Sequence, residues 1–251
     1  MIYKKSPEEI VIMGEAGRIL VDTLNRLEEA LKPGTTTRRL DAIAEESIRS
    51  AGASPSFKGY RGFPASICAS PNDVIVHGIP NDDPLEEGDI VSLDVGVYYK
   101  SFHADSAWTF PVGDVGPETE ELLKATEASL DAAVAECRPG NRLGDVGAAV
   151  EDTATARGFS VVREYVGHGV GRALHEEPQI PNYGPRGRRE VLGAGMTLAI
   201  EPMVNAGGAG TKTLEDGWTV VTADGSLSAH FEHTVAITSD GNEVVTRRNG
   251  H

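Results

Sequence analysis

Cysteine is scarce in this chain: only Cys68 and Cys137 occur, and no C-x-x-C pair is present. That excludes a disulfide framework and a cysteine-built structural zinc site, and it makes a reducing cytoplasm the expected setting. Long apolar runs are absent too. None approaches the ~18 residues that cross a bilayer, and residues Met1 to Pro7 lack the apolar stretch of a secretory leader. A membrane is therefore not expected among the partners. Basic residues are in the minority, 23 Lys and Arg against 38 Asp and Glu, for a formal charge of -15. Specific DNA binding needs a basic footprint and is excluded on that balance. The local cluster Arg186, Arg188 and Arg189 reads as a solvated loop. No low-complexity linker divides the chain, so residues 1–251 are expected to form one domain.

What remains is ordinary globular material: 251 residues, 39% hydrophobic and 24% charged, enough for a substantial core. The chain carries an internal echo. Lys32-Pro33-Gly34 opens an amphipathic segment ending at Gly52, and Arg138-Pro139-Gly140 opens another ending at Gly158, with an offset of 106 residues at both ends. A glycine stop suits a helix C-terminus. Each segment follows a longer helical stretch, about 7–32 and 117–138, with proline at the first turn. Strands are expected at 90–98, 102–110, 196–200, 218–222 and 231–238, and surface loops at 182–195 and 205–210. Two helix–helix–hairpin halves, about 1–115 and 116–251, imply an α+β domain with pseudo-twofold symmetry and a site between the halves.

Carboxylates interrupt those strands. Asp94 faces away from Val91, Leu93, Val95 and Val97, and Asp105 lies in the next strand. A hairpin turning near Tyr99-Lys100 places them opposite one another, where like charges destabilise a sheet unless a cation lies between them. Glu201 ends one apolar strand and Glu232 starts another. Singly, each reads as a capping or solvated group. Together, four buried negative charges cost more than a domain's whole stability unless neutralised, and two divalent cations do that. His168 lies in Gly167-His168-Gly169-Val170-Gly171, whose glycines permit close backbone approach. That run lacks the βαβ setting of a nucleotide loop, and His175-Glu176-Glu177-Pro178 has no second histidine of a zincin helix. His77 ends an apolar run at a turn and is open to either a structural or a functional reading.

The set Asp94, Asp105, His168-Gly-x-Gly-x-x-x-His175, Glu201-Pro202 and Glu232-His233-Thr234 resembles the type I methionine aminopeptidases, over about Pro7 to Val244. The resemblance implies the pita-bread (creatinase/aminopeptidase) fold, two α+β halves around a dinuclear metal site. It implies five metal ligands, Asp94, Asp105, His168, Glu201 and Glu232, with Asp105 and Glu232 bridging two ions of Co, Mn, Fe or Zn. It implies that Glu201 is the general base, that His77 and His175 contact the substrate, and that Tyr60, Phe63, Cys68, Leu174 and Trp218 line the methionine pocket. A monovalent cation, Na or K, at Asn72, Val74 and Ser228 belongs to the same resemblance. So do nascent polypeptides with a small second residue as substrates, transient ribosome association, and a monomeric state. The chain departs from many relatives at Leu174, Phe57, Arg61 and His230, which bears on pocket shape. Two alternatives stand beside this one. An Xaa-Pro aminopeptidase or prolidase shares the five-ligand pattern but usually carries a longer N-terminal domain. A non-catalytic peptide-binding module of the same fold loses ligands, and here all five residue types are present.

Overall fold

The computed structural model describes residues 1–248. Helix α1, Pro7–Ala30, begins where the sequence provides a full capping box: the Ser6 side chain accepts from the Glu9 N–H, and Glu9 Oε2 accepts from the Ser6 N–H at 2.9 Å. Its buried Met13, Leu20, Leu24 and Leu27 repeat at helical spacing and form one stripe. Helices α2 (Thr37–Ser50), α3 (Pro117–Glu136) and α4 (Leu143–Thr155) follow the echo, with Thr37 and Leu143 standing 106 residues apart. The helices are a few residues shorter than the sequence suggests because the basic-Pro-Gly turns claim their ends.

Every strand pairing is antiparallel. In the first half, Ile90–Tyr99 lies between Ile67–Pro71 and Phe102–Pro111, with the short Ser54–Pro55 strand beside it. In the second half, five strands run in the order Asn242–Val244, His233–Ile237, Thr197–Ile200, Gly167–Gly169, Glu176–Ile180. The halves exchange a strand: Val74–Val76 pairs with Val220–Thr222. Hydroxyls join them as well. Thr234 Oγ1 accepts from the Asp105 N–H at 3.0 Å and donates to the Asp105 carbonyl at 2.8 Å, and Ser106 Oγ donates to the Glu232 carbonyl at 2.5 Å. One apolar core runs through both sets of elements, from Leu20 and Leu93 to Leu198 and Ile237. Among the described residues no helix is long and apolar enough to cross a membrane.

Two expectations are corrected. The hairpin turns one residue later than expected, at Lys100 and Ser101, whose φ angles are 46° and 73°. Two successive left-handed residues make the tight turn that suits a two-residue hairpin. Asp105 therefore pairs with Gly96 and Asp94 with Ala107. The carboxylates are diagonal neighbours on one face and not directly opposed, which leaves space between them. Asp94 does not face water, because that face of the strand lines the interior cleft. The loops at 182–195 and 205–210 are only partly superficial: Asn182 and Asn205 are buried and donate to the Glu201 and Gly208 carbonyls.

Gly17 of α1 sits directly against the backbone carbonyl of Val245, with no space for a Cβ. Alanine there gains about 1 kcal/mol of helix propensity but must push α1 off a backbone atom. Gly17→Ala is expected to lower unfolding free energy by about 1–3 kcal/mol, read by urea titration. An unchanged midpoint would show that the helix can slide.

Candidate metal centre and cleft

The acidic side chains converge because of the strand ladders. Ile200 pairs with His233, so Glu201 and Glu232 leave the same end of that ladder. The Glu232 N–H donates to the Ala107 carbonyl at 2.8 Å, and Ala107 is the residue opposite Asp94. His168 is on the neighbouring strand, paired with Ala199. Ligand atoms of Asp105, His168 and Glu232 all lie within 4.8 Å of one another. His168 Nε2 is 3.5 Å from Glu201 Oε1 and 4.0 Å from Asp105 Oδ2.

His168 Nδ1 lies 2.9 Å from the Gly169 carbonyl. A carbonyl only accepts, so Nδ1 carries the proton and Nε2 turns a bare lone pair toward the carboxylates. Burial pushes the His168 pKa down to about 4, which keeps the ring neutral. Burial also pushes Asp105 up to about 7. Asp94, Glu201 and Glu232 are raised well above the usual carboxylate range, by burial first and then by one another and by Asp105. Asp94 Oδ1, Asp105 Oδ1 and Glu232 Oε1 are buried without a hydrogen-bond partner. Unsatisfied buried oxygens gathered around a lone pair are costly as they stand. A divalent cation satisfies all of them at once, and four carboxylates plus one imidazole suit such an ion. The residues fit a metal.

Above the carboxylates opens a cleft of about 210 Å³. Its apolar wall packs Phe57, Phe63, Cys68 and Leu174, with Tyr60 and Trp218 partly covering them. Phe63 meets Trp218 edge to face at 5.2 Å. Burial, with Asp94 and Asp105 nearby, raises the Cys68 thiol far above its ordinary value, so the sulfur stays a neutral, polarisable wall atom. His175 rests against Tyr60, ring centroids 5.3 Å apart, with Nδ1 2.9 Å from the phenolic oxygen. Its pKa falls to about 3 through desolvation and then through His168, whose ring is 4.1 Å away. His77 takes a positive φ of 60° and stands between Tyr165 at 5.8 Å and Trp218 at 6.4 Å.

All five carboxylate and imidazole groups, both further histidines and the five pocket residues singled out in the sequence line this one cleft. Asn72 and Ser228 also meet, the Ser228 N–H donating to the Asn72 carbonyl at 2.9 Å, but neither is part of that lining. Sequence reasoning missed Tyr165 and Met203, which line the cleft two residues before Gly167 and two after Glu201. Adjacency to those motifs was the available signal. It also missed that His230, buried with Nε2 unpartnered, comes within 3.7 Å of Glu201 Oε2.

Comparison with known proteins places this arrangement. A family model described as metallopeptidase family M24 matches residues 11–239. Methionine aminopeptidase 1 of Bacillus subtilis (strain 168) is 53% identical over 98% of this chain and 100% of its own length. A solved methionine aminopeptidase from Thermotoga maritima superimposes with a TM-score of 0.97 at 45% identity, covering 99% of this chain and all of that one. A prolidase from Pyrococcus furiosus gives a TM-score of 0.79 at 24% identity, over 98% of this chain and 66% of that one, a likeness of fold alone.

Proposed function

The chain belongs to metallopeptidase family M24, and from that premise we propose that it is a metal-dependent aminopeptidase that hydrolyses the N-terminal methionine from other polypeptides. The observation that carries this reading is the meeting of two features in one cleft. Unsatisfied buried carboxylates surround the His168 lone pair, and beside them stands a pocket walled by aromatic rings and a thiol. Asp94, Asp105, His168, Glu201 and Glu232 hold two divalent ions. Oxygen-rich coordination suits Mn, Fe or Co at least as well as Zn. Bound there, the ions supply positive charge beside a developing oxyanion and acidify a water toward neutral pH.

The residues then divide the work. The methionine thioether enters between Phe63, Cys68, Leu174 and Trp218, where soft, polarisable contacts favour sulfur. Glu201 is the general base: it takes the proton from the attacking water and returns it to the amine that leaves when the C–N bond breaks. On this reading the Tyr60 hydroxyl, 2.9 Å from His175 Nδ1, takes the donor's part, and the ring carries its hydrogen on Nε2. A neutral His175 then donates from Nε2 to the substrate's oxyanion. His77 orients the amide of the following residue. The same reading includes a small second residue in the substrate, and a single catalytic domain of halves about 1–115 and 116–251. It includes a monomer in the cytoplasm in transient contact with the ribosome, and a sodium or potassium ion at Asn72, Val74 and Ser228.

Protein reloaded with Mn or Co is expected to release methionine from Met-Ala-Ser while leaving N-acetyl-Met-Ala-Ser and Ala-Pro-Ser intact, read by mass spectrometry. Cleavage of Ala-Pro-Ser alone would move the enzyme to the Xaa-Pro branch of the fold. Equal cleavage of the acetylated peptide would contradict recognition of a free amine.

A further inference from the structure

His175 is an exposed residue in the turn between Gly169 and Glu176; Tyr60 and His168 steady its ring, but the turn that carries it sets where the ring starts from. The next residue behaves differently. The Glu176 side chain is 6% exposed and holds the Lys5 ammonium at 2.5 Å, itself only 4% exposed. The other Glu176 oxygen accepts the Ala173 N–H at 3.1 Å, so one carboxylate closes the turn and grips Lys5 together. Lys5 is fixed in its own right: its ammonium donates to the Tyr3 carbonyl at 3.0 Å and its N–H donates to the Gly195 carbonyl at 2.7 Å. The Lys5 stem fills the space that a Cβ on Gly171 would need, which accounts for glycine there. From the other side, the His103 N–H donates to the Gly171 carbonyl at 2.7 Å. A second ion pair, Arg172 with Glu9, also ties the turn to the N-terminal region. Arg172 is 65% exposed, and exposed pairs hold geometry weakly. The buried pair is the one that can set a position.

Resting on the proposed role of His175, we infer that Lys5 is a positioning residue for the reaction. The segment before α1 is a strap whose buried ammonium, through Glu176, sets where the His175 ring points. Loss of the strap leaves the metal ligands and the Phe63, Cys68 and Trp218 walls of the methionine pocket in place and misaims one donor. A shift of about 1 Å at such a group can cost up to a hundredfold in rate.

The test is a double-mutant cycle on the metal-loaded full chain. Lys5→Met is expected to lower kcat on Met-Ala-Ser by roughly tenfold or more, with KM within about twofold and bound metal unchanged by elemental analysis. Lys5→Arg, which keeps the charge, is expected to recover most of the rate. Because Lys5→Met strands a buried carboxylate, the pair Lys5→Met/Glu176→Gln is the second variant. It removes both charges, keeps an acceptor for the Ala173 N–H, and should show the same kcat loss. In a His175→Ala background, Lys5→Met should lower kcat no further. A kcat per folded molecule that is unchanged in both variants, or losses that multiply with that of His175→Ala, would overturn the inference. Full turnover by His175→Ala would overturn it from the other side, by removing the catalytic role on which it rests.

Discussion

Glu201→Gln is expected to lower kcat on a methionyl peptide by about a thousandfold, within the 10²–10⁴ that general acid–base catalysis contributes. Glutamine keeps the volume, so the strand end and its neighbours stay packed. The Glu201 carbonyl that accepts from Asn182 is backbone and is untouched. What disappears is a basic oxygen able to take a proton and give it back, together with one negative charge of the proposed ligand set. KM should change little, because methionine recognition lies with Phe63, Cys68, Leu174 and Trp218. Steady-state kinetics with elemental analysis of the same sample decides the matter. A thousandfold loss with metal retained supports the base. A full rate sinks it and moves the proton transfer to another group, and a loss that tracks metal release reduces Glu201 to a ligand.

Removing the metal is expected to abolish activity and to reverse the pH dependence of stability. With no cation between them, the four carboxylates have raised pKa values in the folded protein, Asp105 at about 7. Unfolded carboxyls titrate near 4. A group bound more tightly to its proton in the folded state stabilises the fold below its unfolded pKa. That contribution is lost as pH rises through the folded value. The chelated protein should therefore melt at progressively lower temperature from pH 5 to pH 8. Each unit of raised pKa corresponds to about 1.4 kcal/mol, so the rise of Asp105 to about 7 is by itself a sizeable share of a domain's stability of about 5–15 kcal/mol. Metal binding needs the deprotonated ligands and releases their protons, so added Mn or Co should raise the melting temperature most at pH 8. Calorimetry across that range, with and without chelator, provides the test. Parallel curves for the two forms would mean that the carboxylates are not the metal's ligands.

Much of this site was legible because it breaks local rules. A carboxylate inside an apolar strand, such as Asp94 or Asp105, conflicts with burial unless something neutralises it, and such conflicts concentrate at functional sites. The helix pairs were legible for the opposite reason: Pro7, Pro117, Gly52 and Gly158 all agree with the ends they mark. The hairpin register was not legible. Lys100 and Ser101 carry no glycine or asparagine signal, and their left-handed backbone is imposed by the strands they join. Nor could sequence show the grip of Lys5 on Glu176, since the partners are 171 residues apart and each alone reads as a solvated charge. His230 beside Glu201 is of the same kind: proximity made by a strand pairing, with no local pattern to announce it.

The fastening of α1 against Val245 bears on the order in which the chain is made. Residues synthesised first, Lys5 and Gly17, find their partners in Glu176 and Val245, and Asp105 waits for Thr234. Arg248 returns to Asn25 and Glu28 near the end of α1. A growing chain thus lacks Glu232 and the Arg248 contacts until those residues themselves have been made. On this architecture no N-terminal piece that stops short of Glu232 holds the whole set of converging carboxylates, so the site belongs to neither half of the chain alone.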